Sequence, residues 1–340
     1  MSKTFKEILI QIATEPKLQT NLLYNLSRIN ADAMEVFKEV WPQITDERRR
    51  MIMKELLEIS EVNFEVDFDP IFLLGMADVD AVVRATAIKC LWEYENPSLI
   101  TPLIHLLKTD QAAIVREAAA TALGNFIYMR ELEEIGWNEA TLAEEALLET
   151  IYTASENIDV RRRAIESIGF SSAQNVSGII ENAYYNDNQK VRISAIFAMG
   201  RNADARWIPW VIKELDNENA EIRFEAARAC GELEARHAVE KLIHLIDEDE
   251  DPEVQQMSIW ALGRIGGDTA RQALEICVDS DNEAIALAAQ DALDELNMFG
   301  DALLLYEFEE DEIDEDLIDL YDDDLGGAWG HETSANGKDH

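Results

Sequence analysis

The chain is short of turn formers, cysteine and positive charge. Seven prolines and fifteen glycines among 340 residues leave few turns, which favours helix over a sandwich or barrel. Lys plus Arg number 29 against 69 Asp plus Glu, a formal charge of -40. Such a surface repels phosphate and anionic lipid, so generic nucleic-acid or membrane binding is not expected. The three cysteines, Cys90, Cys230 and Cys277, lie far apart and form no zinc-spaced set; they read as small buried hydrophobes. No apolar run approaches the roughly 18–20 residues that a bilayer span needs. The N-terminal MSKTFKEILIQIA is too short and too charged for a secretory signal, and a cytoplasmic, reducing setting is the expectation. Nucleophile-elbow and phosphate-binding glycine motifs are also missing.

What is present is periodicity. Hydrophobic residues make up 47% of the chain, enough for one large elongated domain or two ordinary ones. Between Val191 and Asp247 the phrase "valine or isoleucine, arginine, then small apolar residues ending in glycine" occurs twice, at Arg192 and Arg223, 31 residues apart. A period in that range, with two helical patterns per unit, is the signature of stacked helical hairpins. The phrase extends in both directions, anchored at Arg84, Arg116, Arg161, Arg192, Arg223, Gln255 and Ala286, with gaps of 32, 45, 31, 31, 32 and 31. Arg49 anchors a degenerate first copy whose Ile52 and Leu56 fall on the same offsets.

Each anchor carries its own core. Three residues on lie Ala87, Ala119, Ala164, Ala195, Ala226, Ser258 and Ala289; seven on lie Leu91, Leu123, Ile168, Met199, Cys230, Leu262 and Leu293. Offsets 0, 3 and 7 share one helix face, so small residues at three let neighbouring helices approach and larger ones at seven fill the layer between repeats. Five copies place glycine at offset eight, where a side chain would either crowd the next hairpin or strain the exit turn. Asp78, Asp110, Asn186, Asn217 and Asp249 precede their anchors and suit capping of the second helix. The first helix is clearest in residues 207–215 and 238–246. The 45-residue gap, through residues 129–147, predicts a lengthened first helix and a protruding loop.

These phrases resemble the HEAT-like repeat, the type found in phycobilisome lyase subunits, over about residues 45–296, and the whole looks most like bacterial HEAT-repeat proteins. The resemblance implies an all-α fold, a right-handed α-solenoid used as a protein-binding scaffold. Residues 1–44 read as a helical N-terminal cap and 297–340 as an acidic tail that cannot order itself alone, since residues 301–340 hold 15 acidic residues and one lysine.

Chemistry is thinly supported. The deoxyhypusine hydroxylase branch of this repeat class sets His-Glu pairs inside successive repeats; of His105, His237, His244, His331 and His340 here, only His331 is followed by glutamate, and that pair lies in the tail. No metal or other cofactor is expected. DEDEDPE (247–253) lacks the glycine of a calcium loop and reads as acid at a helix start. A bilin lyase-type enzyme subunit is the alternative that the resemblance carries, with no chromophore site in the residues. The recurring arginines, with Arg48–Arg50 and Arg161–Arg163, read as pairing across neighbouring repeats rather than as a nucleic-acid footprint.

A non-enzymatic scaffold or adaptor is therefore the functional expectation, with another protein as partner. If offsets 0, 3 and 7 face inward, offsets 1, 5 and 9 line a groove. There the middle repeats carry Ile193, Phe197 and Arg201, then Phe224, Arg228 and Glu232, then Gln256, Trp260 and Arg264. Aromatics beside arginines suit a protein-binding surface; a tight superhelix would instead bury Phe197, Phe224 and Trp260. One candidate occupant is already in the chain. The tail, through Leu303, Leu304, Tyr306, Phe308, Leu317, Ile318, Leu320 and Tyr321, could dock in the groove, or it could stay solvated and recruit a basic protein.

Overall fold

A computed structural model describes the backbone of residues 3–310 and the side chains of residues 3–298. Every regular element among the described residues is helical. Three helices come first: α1 (Phe5–Thr14), α2 (Thr20–Leu23) and α3 (Ala31–Val40). A longer helix, α4 (Asp46–Val62), follows. Seven hairpins complete the described chain: α5 (Asp69–Gly75) with α6 (Ala81–Cys90), α7 (Ile100–Thr109) with α8 (Ala113–Glu131), α9 (Trp137–Tyr152) with α10 (Ile158–Ile168), α11 (Val176–Tyr184) with α12 (Gln189–Arg201), α13 (Ile208–Glu214) with α14 (Ala220–Glu232), α15 (Val239–Glu248) with α16 (Pro252–Ile265), and α17 (Asp268–Val278) with α18 (Glu283–Glu310).

Even-numbered helices from α4 to α18 pack consecutively against one another, far more extensively than the first helices of the hairpins do. They form the inner layer of an α-solenoid, and the first helices form the outer one. The sequence explains the close inner packing. Ala87, Ala119, Ala164, Ala195, Ala226, Ser258 and Ala289 are all fully buried, and so, within a few per cent, are Leu91, Leu123, Ile168, Met199, Cys230, Leu262 and Leu293. Ile52 and Leu56 are buried in the same way on α4, so the degenerate first copy packs as a repeat. Of the two reasons open for glycine at offset eight, crowding is the one that applies. A Cβ on Gly169, Gly200 or Gly231 would press on the next inner helix at Ala198, Ala229 or Ala261, and none of the three has a positive φ. Burial also pushes the Cys90 and Cys230 thiols up to about 12, so both act as apolar fillers.

Four of the anchor arginines tie their loop to the next. Arg84 donates to both carboxylate oxygens of Asp110 at 2.8 Å and to the Asp78 and Val79 carbonyls. Arg223 repeats this on Asp249, at 2.6 and 2.8 Å, and on the Asn217 and Glu218 carbonyls. Arg49 reaches Asp78, and Arg116 reaches Glu156. Arg192 and Gln255 keep only the bond to their own loop, at Asn186 and Asp249. Pairing across neighbouring repeats therefore holds for Arg49, Arg84, Arg116 and Arg223, but not for Arg161, which bonds the Ile151 carbonyl of its own hairpin, or for Arg192.

Two expectations need correction. Asp78, Asp110, Asn186, Asn217 and Asp249 are not the N-caps; each accepts the backbone N–H two residues on. The caps are Asp80, Asn188, Asn219 and Asp251 in four of these repeats, which leaves Asp78 and Asp249 free to meet the preceding Arg49 and Arg223. The long gap lengthens the second helix before it, α8, as well as the first helix α9, and the connecting loop is short. The last helix, α18, runs past Leu296, where the repeat phrase ends, to Glu310.

Candidate protein-binding groove

The face that α12, α14 and α16 turn away from the first helices is the face the offsets select. Phe197, Phe224 and Trp260 are each half-buried on it, neither fully exposed nor lost between repeats. Arg201 is exposed and Arg264 half-buried. Ile193 and Arg228 are buried, at 8% and 9% exposure, so these two do not present a free surface. Inner helices pack about 8–10 Å apart and cover each other's flanks, which a wheel drawn for one helix ignores.

The arginines are already engaged. Arg228 donates to Glu225 at 2.7 Å, to Glu232 at 2.5 Å and to the Phe197 carbonyl at 3.1 Å. Its guanidinium lies 3.9 Å from the Phe197 ring centroid, on one side of a ring that Arg201 also meets at 5.3 Å. Arg201 pairs with Glu232 at 3.4 Å and contacts the Phe170 ring, which in turn packs on Tyr128. Arg264 pairs with Glu295. A stacked guanidinium whose charge is met by carboxylates makes a rigid platform rather than a free cation. Glu225 is held above the usual carboxylate range by burial, with Glu166 and Glu232 nearby adding to the effect and Arg228 opposing it.

Three cavities open on this face. One, of about 390 Å³, lies between α6, α8 and α10 and is lined by Ile88, Lys89, Trp92, Ile114, Glu117 and Arg163, among others. A second, of about 280 Å³, sits at the starts of α12, α14 and α16 among Lys190, Ile193, Phe224, Glu225 and Glu253. The third, of about 330 Å³, lies between α14, α16 and α18, walled by Phe224, Met257, Trp260 and Ala292 with Glu253, Asp291 and Glu295 around them. Phe224 and Glu253 form a wall common to the last two. Gly231 makes room for the third cavity's aromatic wall, because a Cβ there would strike the Trp260 ring.

Reasoning from three repeats alone missed part of the surface. Phe170, Asp291 and Glu295 sit at offsets nine, five and nine of the Arg161 and Ala286 copies, so carrying the same rule outward finds them. Glu225, Glu253 and Met257 obey no such offset. The arginine runs proved structural: Arg49 and Arg50 pair with Asp78 and Asp80, while Arg162 and Arg163 pair with Asp159 and Glu166. His105, His237 and His244 are exposed. Leu303, Leu304, Tyr306 and Phe308 fall on the backbone of α18, but their side chains lie outside the described residues, as do Leu317, Ile318, Leu320 and Tyr321 altogether. No helix among the described residues is long and apolar enough to cross a membrane.

Comparison with known proteins gives the following. The pattern of the HEAT-repeat family matches residues 70–140, 176–249 and 208–294. No curated protein matches the sequence. Among solved structures, the chain is similar to the CpcE–CpcF complex of phycocyanin lyase from Nostoc sp., at 16% identity and a TM-score of 0.44, over 67% of this chain and 94% of that one. It is similar to human deoxyhypusine hydroxylase at 16% identity and a TM-score of 0.35, over 86% and 97%. A third similar structure is importin beta, at 14% identity and a TM-score of 0.44, over 85% of this chain and 46% of that one.

Proposed function

The chain belongs to the HEAT-repeat family, and on that premise we propose that it is a non-enzymatic scaffold or adaptor that holds a segment of another protein along its inner face. The observation that carries the reading is the pair Phe224 and Trp260, half-buried side chains that wall neighbouring open cavities. Aromatic rings with one side packed and one side open lose little entropy on docking and bury a large apolar area, which is how hot spots of protein interfaces work. Solvent alone would select polar residues there. Phe197 on the same face is held by two cations, since the guanidinium groups of Arg228 and Arg201 both lie over its ring. A preformed surface keeps the ordering cost of binding low.

Affinity capture from native lysate tests this, with the full chain and a Phe224→Ala/Trp260→Ala variant. A partner kept by the first and lost by the second is the expected result; identical capture by both would move the binding surface elsewhere. Circular dichroism of the variant must stay helical, which its half-buried sites predict.

A further inference from the structure

The charge of the inner face changes along its length. Around the Trp92 cavity, Lys89 and Arg163 stand against Glu117. Around the Trp260 cavity stand Glu253, Asp291 and Glu295, with no basic residue lining it. Among the described residues Glu253 and Asp291 have no ion-pair partner, and Glu295 has only Arg264. The second cavity adds Glu221, Glu225, Asp251 and Glu253 against Arg162 and Lys190. Both of those cations are partly spent on Asp159. Negative charge therefore gathers at these two cavities: Arg228 and Arg264 meet Glu225 and Glu295, while Glu253 and Asp291 stay without an ion-pair partner among the described residues.

Building on the scaffold reading, we propose that the α14–α18 part of the groove takes an extended basic segment of a partner protein, with one lysine or arginine in each of the two cavities that share the Phe224–Glu253 wall. The chemistry fits at both ends of the side chain. Aliphatic stems pack on Phe224, Met257 and Trp260, and a cation over an indole or phenyl face gains further. The charged head then meets carboxylates at the cavity mouth. The spacing fits as well: inner helices lie about 8–10 Å apart, and an extended chain advances about 3.3 Å per residue, so the two basic residues stand two or three positions apart. By the same argument the acidic tail of this chain is the wrong occupant, because it would bring carboxylates to unpaired carboxylates.

The test uses the full-length chain and fluorescence anisotropy with labelled peptides of alternating lysine and serine, of alternating glutamate and serine, and of residues 311–340. Because the whole protein is acidic, the decisive comparison is between two charge-matched variants. Glu253→Gln/Asp291→Asn/Glu295→Gln strips the groove; Glu240→Gln/Asp247→Asn/Glu248→Gln strips as many charges from α15 on the outer layer. The expected result is that the groove variant weakens the lysine peptide about tenfold or more, the α15 variant less than about twofold, and that Phe224→Ala/Trp260→Ala also weakens it. Equal weakening by the two charge variants, or binding of the glutamate or tail peptide at the groove, would overturn the proposal. So would absence of lysine-peptide binding at millimolar concentration. The broader reading fails separately: a captured protein lost with Phe224→Ala/Trp260→Ala but docking through a non-basic segment keeps the scaffold and removes only the basic occupant.

Discussion

Arg223 and Arg228 lie five positions apart on α14 and are bonded in opposite senses. Arg223 reaches forward to Asp249 of the next repeat and back only to its own loop carbonyls. Arg228 reaches back to the ring and carbonyl of Phe197 and satisfies its charge on its own helix, at Glu225 and Glu232. At the repeat edge Arg49, Arg84, Arg116 and Arg223 each meet a carboxylate of the following repeat, so the charges there are balanced within the fold. On the inner face the anions outnumber the cations, and what is left over is available to something outside the molecule. Balanced charge is structural here, and unbalanced charge beside aromatic rings is where binding is expected.

Substitutions can break this contrast. The largest effect is expected at the edge: Asp249→Ala leaves Arg223, only 16% exposed in its side chain, without its partner, and should cost about 3 kcal/mol in urea unfolding, with binding changed only through stability. Ala195→Leu, in the fully buried layer between repeats, should cost about 2–3 kcal/mol by overpacking. Gly231→Ala sharpens the comparison, because one methyl collides with both the structural Ala261 and the groove residue Trp260; about 1–2 kcal/mol and a measurable loss of partner affinity should come together. Trp260→Ala should do the reverse of Asp249→Ala: a stability loss of about 1 kcal/mol, because the ring is only half-buried, but loss of the captured partner.

The smallest effect per group is that of pH. Arg50 and two backbone N–H groups hold Asp80 at about 2 instead of 3.8. For Asp110 and Asp249 burial pushes upward, but hydrogen bonds from Arg84 and Arg223 and from the backbone outweigh it, and both carboxyls also lie below the usual range. A depressed carboxyl stabilises the fold above its unfolded value and loses that contribution as pH falls through its folded value. Edge stability should therefore be level down to about pH 4 and drain between about pH 4 and 2, and Arg84→Gln should flatten that part of the unfolding profile. Glu225 has the opposite sign. Its raised pKa makes its ionised form a small liability that acid relieves, so the inner face should not contribute to the acid loss.

Much of the fold could be read before any coordinates. A helix at 31- or 32-residue intervals with Ala or Ser at offset three and a larger apolar residue at offset seven has one way to bury both, and every such residue is buried. The arginine rungs could be anticipated from the acidic or amide residue that precedes most anchors, though not its role. Whether Asp249 caps its helix or accepts from Arg223 depends on where the preceding hairpin has turned. The groove was legible only in part. Offsets 1, 5 and 9 name one face of the inner helices, yet Ile193 and Arg228 are buried on it because neighbouring inner helices cover their flanks.

The sequence by itself determined the period, the layer of small residues that lets the inner helices touch, and the aromatic content of the inner face, because each of these is local or repeats along the chain. Only the tertiary structure decided which arginines remain free cations and which are spent. That depends on the distance between side chains more than two dozen residues apart, as between Arg223 and Asp249 or Phe197 and Arg228, and such distances are set by how hairpins pack rather than by what either helix contains.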